Sequence, residues 1–295
     1  MRDTFIKVLT KEASINKKIV LMVGDLGYSV IEDFQQKFPD RFYNAGISEQ
    51  NMASMAAGLA SEGFHVFIYS IANFPTFRCA EQLRNDVGYH KLPVTVVAVG
   101  GGLSYGNLGY SHHAIQDLGL MRLFPEFEIV CPGDPYEVEF CLKSLISRPG
   151  PSYLRLKKSG EKNFSSEELQ ITPGCWNKVK STENGKIFLT TGGGLQLAVN
   201  YVTNSEEYSK YGIYTCPIWG DKYSDLQQMQ VNHFDEIVTV EDHLLSGGFG
   251  SWLRESITNI ESHLKIRHKA LSNLVIGKVG KEDYLYKISG LDQIY

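Results

Sequence analysis

Short β-branched runs alternate with helix-length segments along most of this chain, and that alternation restricts the fold more than any other feature. The runs "KIVLMVGDLG" (18–27), "HVFIYS" (65–70), "PVTVVAVGGG" (93–102) and "EFEIVCPGD" (126–134) read as strands. Between them Met52, Met55, Ala56, Leu59 and Ala60 recur at helical spacing and stop at Gly63. Residues 76–90 and 134–147 also read as helices. Strands separated by helices predict a parallel sheet covered on both faces and joined by right-handed crossovers. The pattern resumes with "KIFLTTGGG" (186–194), a helix near 195–203, "GIYTCPI" (212–218), "EIVTVED" (236–242) and a helix opening at Gly247-Gly248.

The stretch 157–185 is polar and turn-rich, so the expectation is two α/β domains, 1–160 and 186–295, joined by a linker over 161–185. A chain of 295 residues is long enough for two such cores. The predicted fold class is α/β: two open, mostly parallel sheets with helices on both faces.

Composition removes several functions. A net charge of −4 and a pI near 6.1 give no footing for nucleic acid or an anionic membrane surface. No apolar run is long enough to cross a bilayer, and the scattered charges of "MRDTFIKVLTKEASINKKIV" leave no secretory h-region. Five cysteines without C-x-x-C spacing suggest neither a disulfide framework nor a zinc site. The expectation is a cytoplasmic protein with reduced thiols.

Ligands of open parallel sheets bind beyond the carboxyl ends of the strands. "VAVGGGLSYGNLGYSHHAIQDL" follows one such end but fails the dinucleotide fingerprint, because position 105 is tyrosine and no helix begins in time. A loop carrying His112 and His113 into a cleft fits it better. Adjacent histidines with no further ligand at metal spacing do not suggest a metal centre. "ANFPTFRCAEQLRNDV" (72–87) places Phe74, Phe77 and Arg78 at a helix start. In "NAGISEQNMASMAAGLASEGFHVF" Glu49 stands at another. The helix dipole alone could explain an acid there. Its neighbours Ala45, Gly46, Ile47, Met52 and Ala53 are small or apolar, however, so an unpartnered carboxylate should suffer desolvation and a raised pKa.

That segment resembles the G-I-[AS]-E-Q stretch of thiamine-diphosphate enzymes of the transketolase family. "GYSHHAIQDLGLMR", "VCPGDPYEV", "PSYLRL" and "TVEDHLLSGGFGSWLRE" follow in the family's order, so the resemblance runs over nearly the whole chain. The family's G-D-G segment, which holds Mg2+ and the cofactor's diphosphate, is absent from this sequence. The resemblance therefore implies the pyrimidine-binding and C-terminal domains alone, a β-type subunit sharing thiamine diphosphate and Mg2+ with a separate diphosphate-binding subunit. The implied assembly is α2β2 with a β–β contact.

By the same resemblance Glu49 hydrogen-bonds N1′ of the aminopyrimidine and exchanges a proton with it, and Phe74 or Phe77 stacks on that ring. His112 faces substrate hydroxyls, with His113 replacing the family's glutamine. Arg78 and Arg155 match positions that meet an anionic substrate group. Asp25, at the end of the first strand, is a further candidate for the cofactor-facing cleft. The Glu241, Asp242, His243 and Gly247-Gly248-x-Gly250 region is implied to be structural. The activity implied first is two-carbon ketol transfer between sugars or sugar phosphates. Alternatives are a deoxyxylulose-phosphate-synthase-like condensation, a 2-oxo acid dehydrogenase β subunit and a non-catalytic scaffold.

Overall fold

A computed structural model describes residues 1–158, 160–166, 170–258 and 264–292. Its strands are β1 (Ile19–Val23), β2 (Phe42–Asn44), β3 (His65–Ile71), β4 (Val94–Val99), β5 (Glu128–Val130) and β6 (Ser152–Leu156) in the first half. The second half adds β7 (Asn177–Lys180), β8 (Lys186–Thr190), β9 (Gly212–Thr215), β10 (Ile218–Trp219), β11 (Glu236–Leu244) and β12 (Lys265–Leu271). They form a seven-stranded sheet in the order β10-β5-β6-β4-β3-β1-β2 and a five-stranded sheet in the order β12-β11-β8-β9-β7.

Pairing is parallel except for β10 with β5 and β7 with β9. The central strands β1, β3, β4 and β6 are buried along almost their whole length, because helices cover both faces. That is why "IVLMV" and "VTVVAV" are continuous apolar runs rather than alternating ones. No described helix is long and apolar enough to cross a membrane.

Several boundaries differ from the sequence expectation. The polar stretch 161–185 is not only a connector, since it supplies β7 as an edge strand of the second sheet. β10 crosses back and pairs with β5 of the first sheet, so the two halves are interlocked. The helix expected over 76–90 starts at Asn73, breaks at Arg78-Cys79, and passes through Ala80–Gln82 into a π-helical turn over Leu83–Gly88. On the helix Glu49–Ser61, Met52, Ala53, Ala56, Ala57 and Ala60 form the buried stripe. Met55 faces outward instead, its sulfur accepting from Asn51 Nδ2.

The order of the first sheet places a topological switch between β1 and β3. From β1 the chain runs to its neighbour β2, then crosses to the other side of β1 to form β3. Open α/β sheets leave a crevice at such a point, beyond the carboxyl ends of the strands.

Candidate functional site at the switch point

β1 ends at Val23 and leads into Gly24, and β3 runs through Ser70 to Ile71. A methyl group placed on Gly24 would sit 3.6 Å from Ser70 Oγ and 3.8 Å from Glu49 Cγ. Glu49 therefore lies over the switch point itself. The chain brings it there from β2 through a short pinned turn. Ala45 N donates to Val23 O at 2.9 Å, and Asn44 Oδ1 accepts from both Asp25 N and Gly46 N at 3.0 and 2.9 Å. Gly46 has φ +71°, a conformation glycine adopts without strain. Glu49 is the first residue of its helix, with its side chain 4% exposed.

Desolvation of that acid is met by a partner. Arg78 Nη1 donates to Glu49 Oε2 at 3.1 Å, and the Arg78 side chain is 54% exposed. The guanidinium carbon also lies over the Phe74 ring, 4.7 Å from its centroid. His112 meets the same ring edge-on at 5.3 Å and approaches Tyr105 at 6.4 Å. Burial, followed by the neighbouring His113, lowers the His112 pKa from its ordinary value. Phe77 is exposed, and Phe74 is half-buried.

Asn73 had no distinguishing mark in the sequence, yet it joins the two segments of the cleft. Its Nδ2 donates to Ser111 O at 3.0 Å and to His113 O at 3.1 Å, tying the Phe74 helix to the histidine loop. His113 is buried, and Nε2 meets Gly106 O at 3.1 Å. The glycines of "GGLSYG" serve close packing: Gly100 (φ +87°) lies against the Tyr105 ring and Gly102 (φ +66°) against the Asp242 carboxylate.

Two hollows open here. One, about 460 Å³, is lined by Ile47 to Asn51 and Arg78. The other, about 360 Å³, is lined by Asn73, Phe74, Phe77, Arg78 and the Tyr110–Gln116 region. A hollow of about 620 Å³ walled by Arg84, Tyr89, Leu123 and Phe124 lies elsewhere. The segments around it lead into the amino ends of β4 and β5, the wrong end of the sheet for a ligand crevice.

Two expected site residues stand apart. Asp25 (φ +53°) is exposed at the rim, held by Asn44 Nδ2 and Tyr28 Oη. Arg155 does not reach the cleft. It is 3% exposed, with Nε on Asp117 Oδ2 at 2.9 Å, Nη1 on Asp242 Oδ1 at 2.6 Å and Nη2 on Ala114 O at 2.7 Å. A guanidinium so committed is a joint between the domains and leaves little to offer an anionic substrate.

Tyr153 Oη donates to Asp117 Oδ2 at 2.8 Å and lies 3.2 Å from Thr76 Oγ1, so this joint reaches the helix that carries Phe74. In the second domain Glu241 accepts from Phe249 N and Gly250 N at 2.7 and 2.8 Å, holding the start of the helix Phe249–Ser256.

Three buried polar atoms beside the cleft have no hydrogen-bond partner among the described residues: Ser70 Oγ, Asn73 Oδ1 and His113 Nδ1. A sheltered carboxylate, an aromatic face and unpaired polar atoms at one switch point suit a flat, polar heterocycle.

Comparison with known proteins agrees. The family model of the transketolase pyrimidine-binding domain matches residues 1–161. A putative transketolase C-terminal section of Methanocaldococcus jannaschii is 30% identical over 295 residues, covering 99% of this chain and 92% of that protein. A 1-deoxy-D-xylulose-5-phosphate synthase of Clostridium perfringens is 32% identical over 98% of this chain, which spans only 47% of the synthase. Among solved structures, a split gene transketolase described as an inactive β4 tetramer superposes with a TM-score of 0.83 at 28% identity, covering 98% of this chain and 93% of that one.

Fold and cleft together define a two-domain α/β protein whose first domain is of the pyrimidine-binding kind. The chain belongs to the transketolase family, whose enzymes use thiamine diphosphate.

Proposed function

We propose that this chain is one subunit of a divided transketolase-like enzyme that moves a two-carbon ketol unit between sugars or sugar phosphates. Thiamine diphosphate would lie between it and a diphosphate-binding subunit that holds the phosphates and Mg2+. The observation that carries this reading is Glu49, sheltered at the switch point and paired with Arg78, whose guanidinium lies over the Phe74 ring that His112 meets edge-on. Relatives of similar length also support it, because the M. jannaschii section and the split gene transketolase are each matched over more than nine-tenths of their length. A cytoplasmic α2β2 assembly with a β–β contact completes the proposal.

The cofactor, when bound, supplies a thiazolium able to stabilise negative charge on a substrate carbon. Glu49 would hold a proton at its carboxyl oxygen, hydrogen-bonded to the pyrimidine ring, and exchange it there. General acid–base help of this kind is worth roughly 10²–10⁴ in rate. Phe74, already bounded by Arg78 and His112, offers a ring face to stack against, and the more exposed Phe77 is the alternative. His112 would meet substrate hydroxyls, with burial and then the neighbouring His113 lowering its pKa and favouring the neutral imidazole. His113 Nδ1 and Asn73 Oδ1 are acceptors suited to hydroxyl donors beside it.

A second reading, condensation of pyruvate with an aldehyde, draws on the 32% identity to the C. perfringens synthase. The two are separated by incubating the purified assembly, Mg2+ and thiamine diphosphate with a ketose phosphate or with pyruvate, and following products by mass spectrometry. Ketol transfer without carbon dioxide release is expected. Turnover should vanish in Glu49→Ala, and full activity in that variant would refute the role of the acid.

A further inference from the structure

We propose that Arg78 is a gate across this cleft: in the chain standing alone its guanidinium holds the place of the cofactor's pyrimidine, and it swings aside when that ring binds. The inference rests on the thiamine-diphosphate reading above. It gives Arg78 a role distinct from the substrate contact that the family resemblance implies.

Three features of the geometry converge on it. The guanidinium donates to the Glu49 carboxylate and covers the Phe74 ring, so one flat group occupies both the acid and the aromatic face. Arg78 is also the one residue that lines both hollows, so its side chain is the partition between them. A guanidinium is planar, stacks on aromatic faces and presents N–H donors at its edge. An aminopyrimidine is planar, stacks and hydrogen-bonds at its edge. Glu49 and Phe74 can serve either occupant in this way, but not both at once.

Exposure indicates which partner moves. Glu49 is 4% exposed and fixed at the start of its helix, whereas Arg78 is 54% exposed and can turn into water without opening a void. Opening without a ligand would leave a buried carboxylate unpaired, which is unfavourable. The gate is therefore closed at rest and yields to a ring that replaces its hydrogen bond. Apparent affinity falls in proportion to the fraction of open cleft. A half-exposed ion pair and a cation–π contact of ordinary strength correspond to a penalty of about three- to tenfold.

The test is equilibrium dialysis of thiamine diphosphate with Mg2+ against the complex purified from the organism's own cells through a tag on this chain. It compares wild type, Arg78→Met, Arg78→Gln and Glu49→Gln, with thermal melts confirming that each is folded. Both Arg78 variants should bind about three- to tenfold more tightly, and Glu49→Gln more weakly. If both Arg78 variants bind no tighter while Glu49→Gln binds more weakly, the gate is refuted and the cofactor reading stands. If no form, wild type included, takes up thiamine diphosphate, the cofactor reading fails and the gate with it.

Discussion

Glu49 shows how one side chain acquires its surroundings from distant parts of the chain. The turn that delivers it is local, running from Asn44 to Ser48, but its partner Arg78 comes from the next crossover, 29 residues on. Sequence reasoning reached Glu49, Phe74, Arg78 and His112 because each stands in a motif. It could not see Asn73, whose bonds to the histidine loop span 38 and 40 residues, nor that Arg155 would be enclosed by Asp117 and Asp242. "YLRL" has the same letters whether its arginine faces a ligand or a carboxylate from the second domain. Removing one partner of a buried ion pair costs about 3–5 kcal/mol. Arg155→Ala should therefore lower the free energy of unfolding by that order in urea titration. Unchanged stability with a raised KM for an anionic substrate would restore Arg155 to the substrate site.

At the scale of elements, the apolar runs of the central strands made the parallel sheets legible, since strands covered on both faces have few polar positions. β7 lies within a polar stretch and pairs along one edge only, and β10 is two residues long, so neither carries a periodic pattern of its own. The helix Arg2–Ile15 is not among the elements read from the sequence; it buries Phe5, Ile6, Val8, Leu9, Thr10 and Ala13 and leaves Asp3, Lys7 and Lys11 exposed.

β3 also bears a titratable feature, His65 at its first residue, buried with Nε2 against Thr95 Oγ1 at 2.9 Å. Burial pulls its pKa down to about 4. The unfolded chain takes up a proton below pH 6.5 that the folded chain refuses, so this contribution is intact above that value and is lost as pH falls toward 4. The slope reaches at most about 1.4 kcal/mol per pH unit. Chemical denaturation between pH 4 and 7 should show a shallower acid slope in His65→Gln than in wild type, and identical slopes would contradict the assignment.

The whole molecule is held together by polar joints as well as by β10. Thr215 Oγ1 of the second domain donates to Glu137 Oε1 of the first, and Gly133 N donates to Glu137 Oε2 at 2.7 Å. Asp134 Oδ2 accepts from Phe164 N and Ser165 N at 2.9 and 2.7 Å, fixing the connector beside them. Burial, then the nearby Asp134, pushes the Glu137 pKa up to about 7. The folded chain keeps a proton there that the unfolded chain releases near pH 4.5, so this stabilisation is full below pH 4.5 and lost as pH rises through 7. Glu137→Gln should flatten the decline of thermal stability between pH 4.5 and 7, and a decline as steep as wild type would exclude Glu137 as its source.

These joints fix the second domain against the first at Asp117 and Asp242, and through Tyr153 they reach the helix bearing Phe74. A cleft so braced suits the coenzyme site proposed above. The most direct measurement of the acid's role is deuterium exchange at C2 of thiamine diphosphate bound to the assembled complex, by quenched-flow and NMR. Exchange should slow by roughly 10²–10⁴ in Glu49→Gln relative to wild type, while an equal rate in the two would contradict the role assigned to this carboxylate.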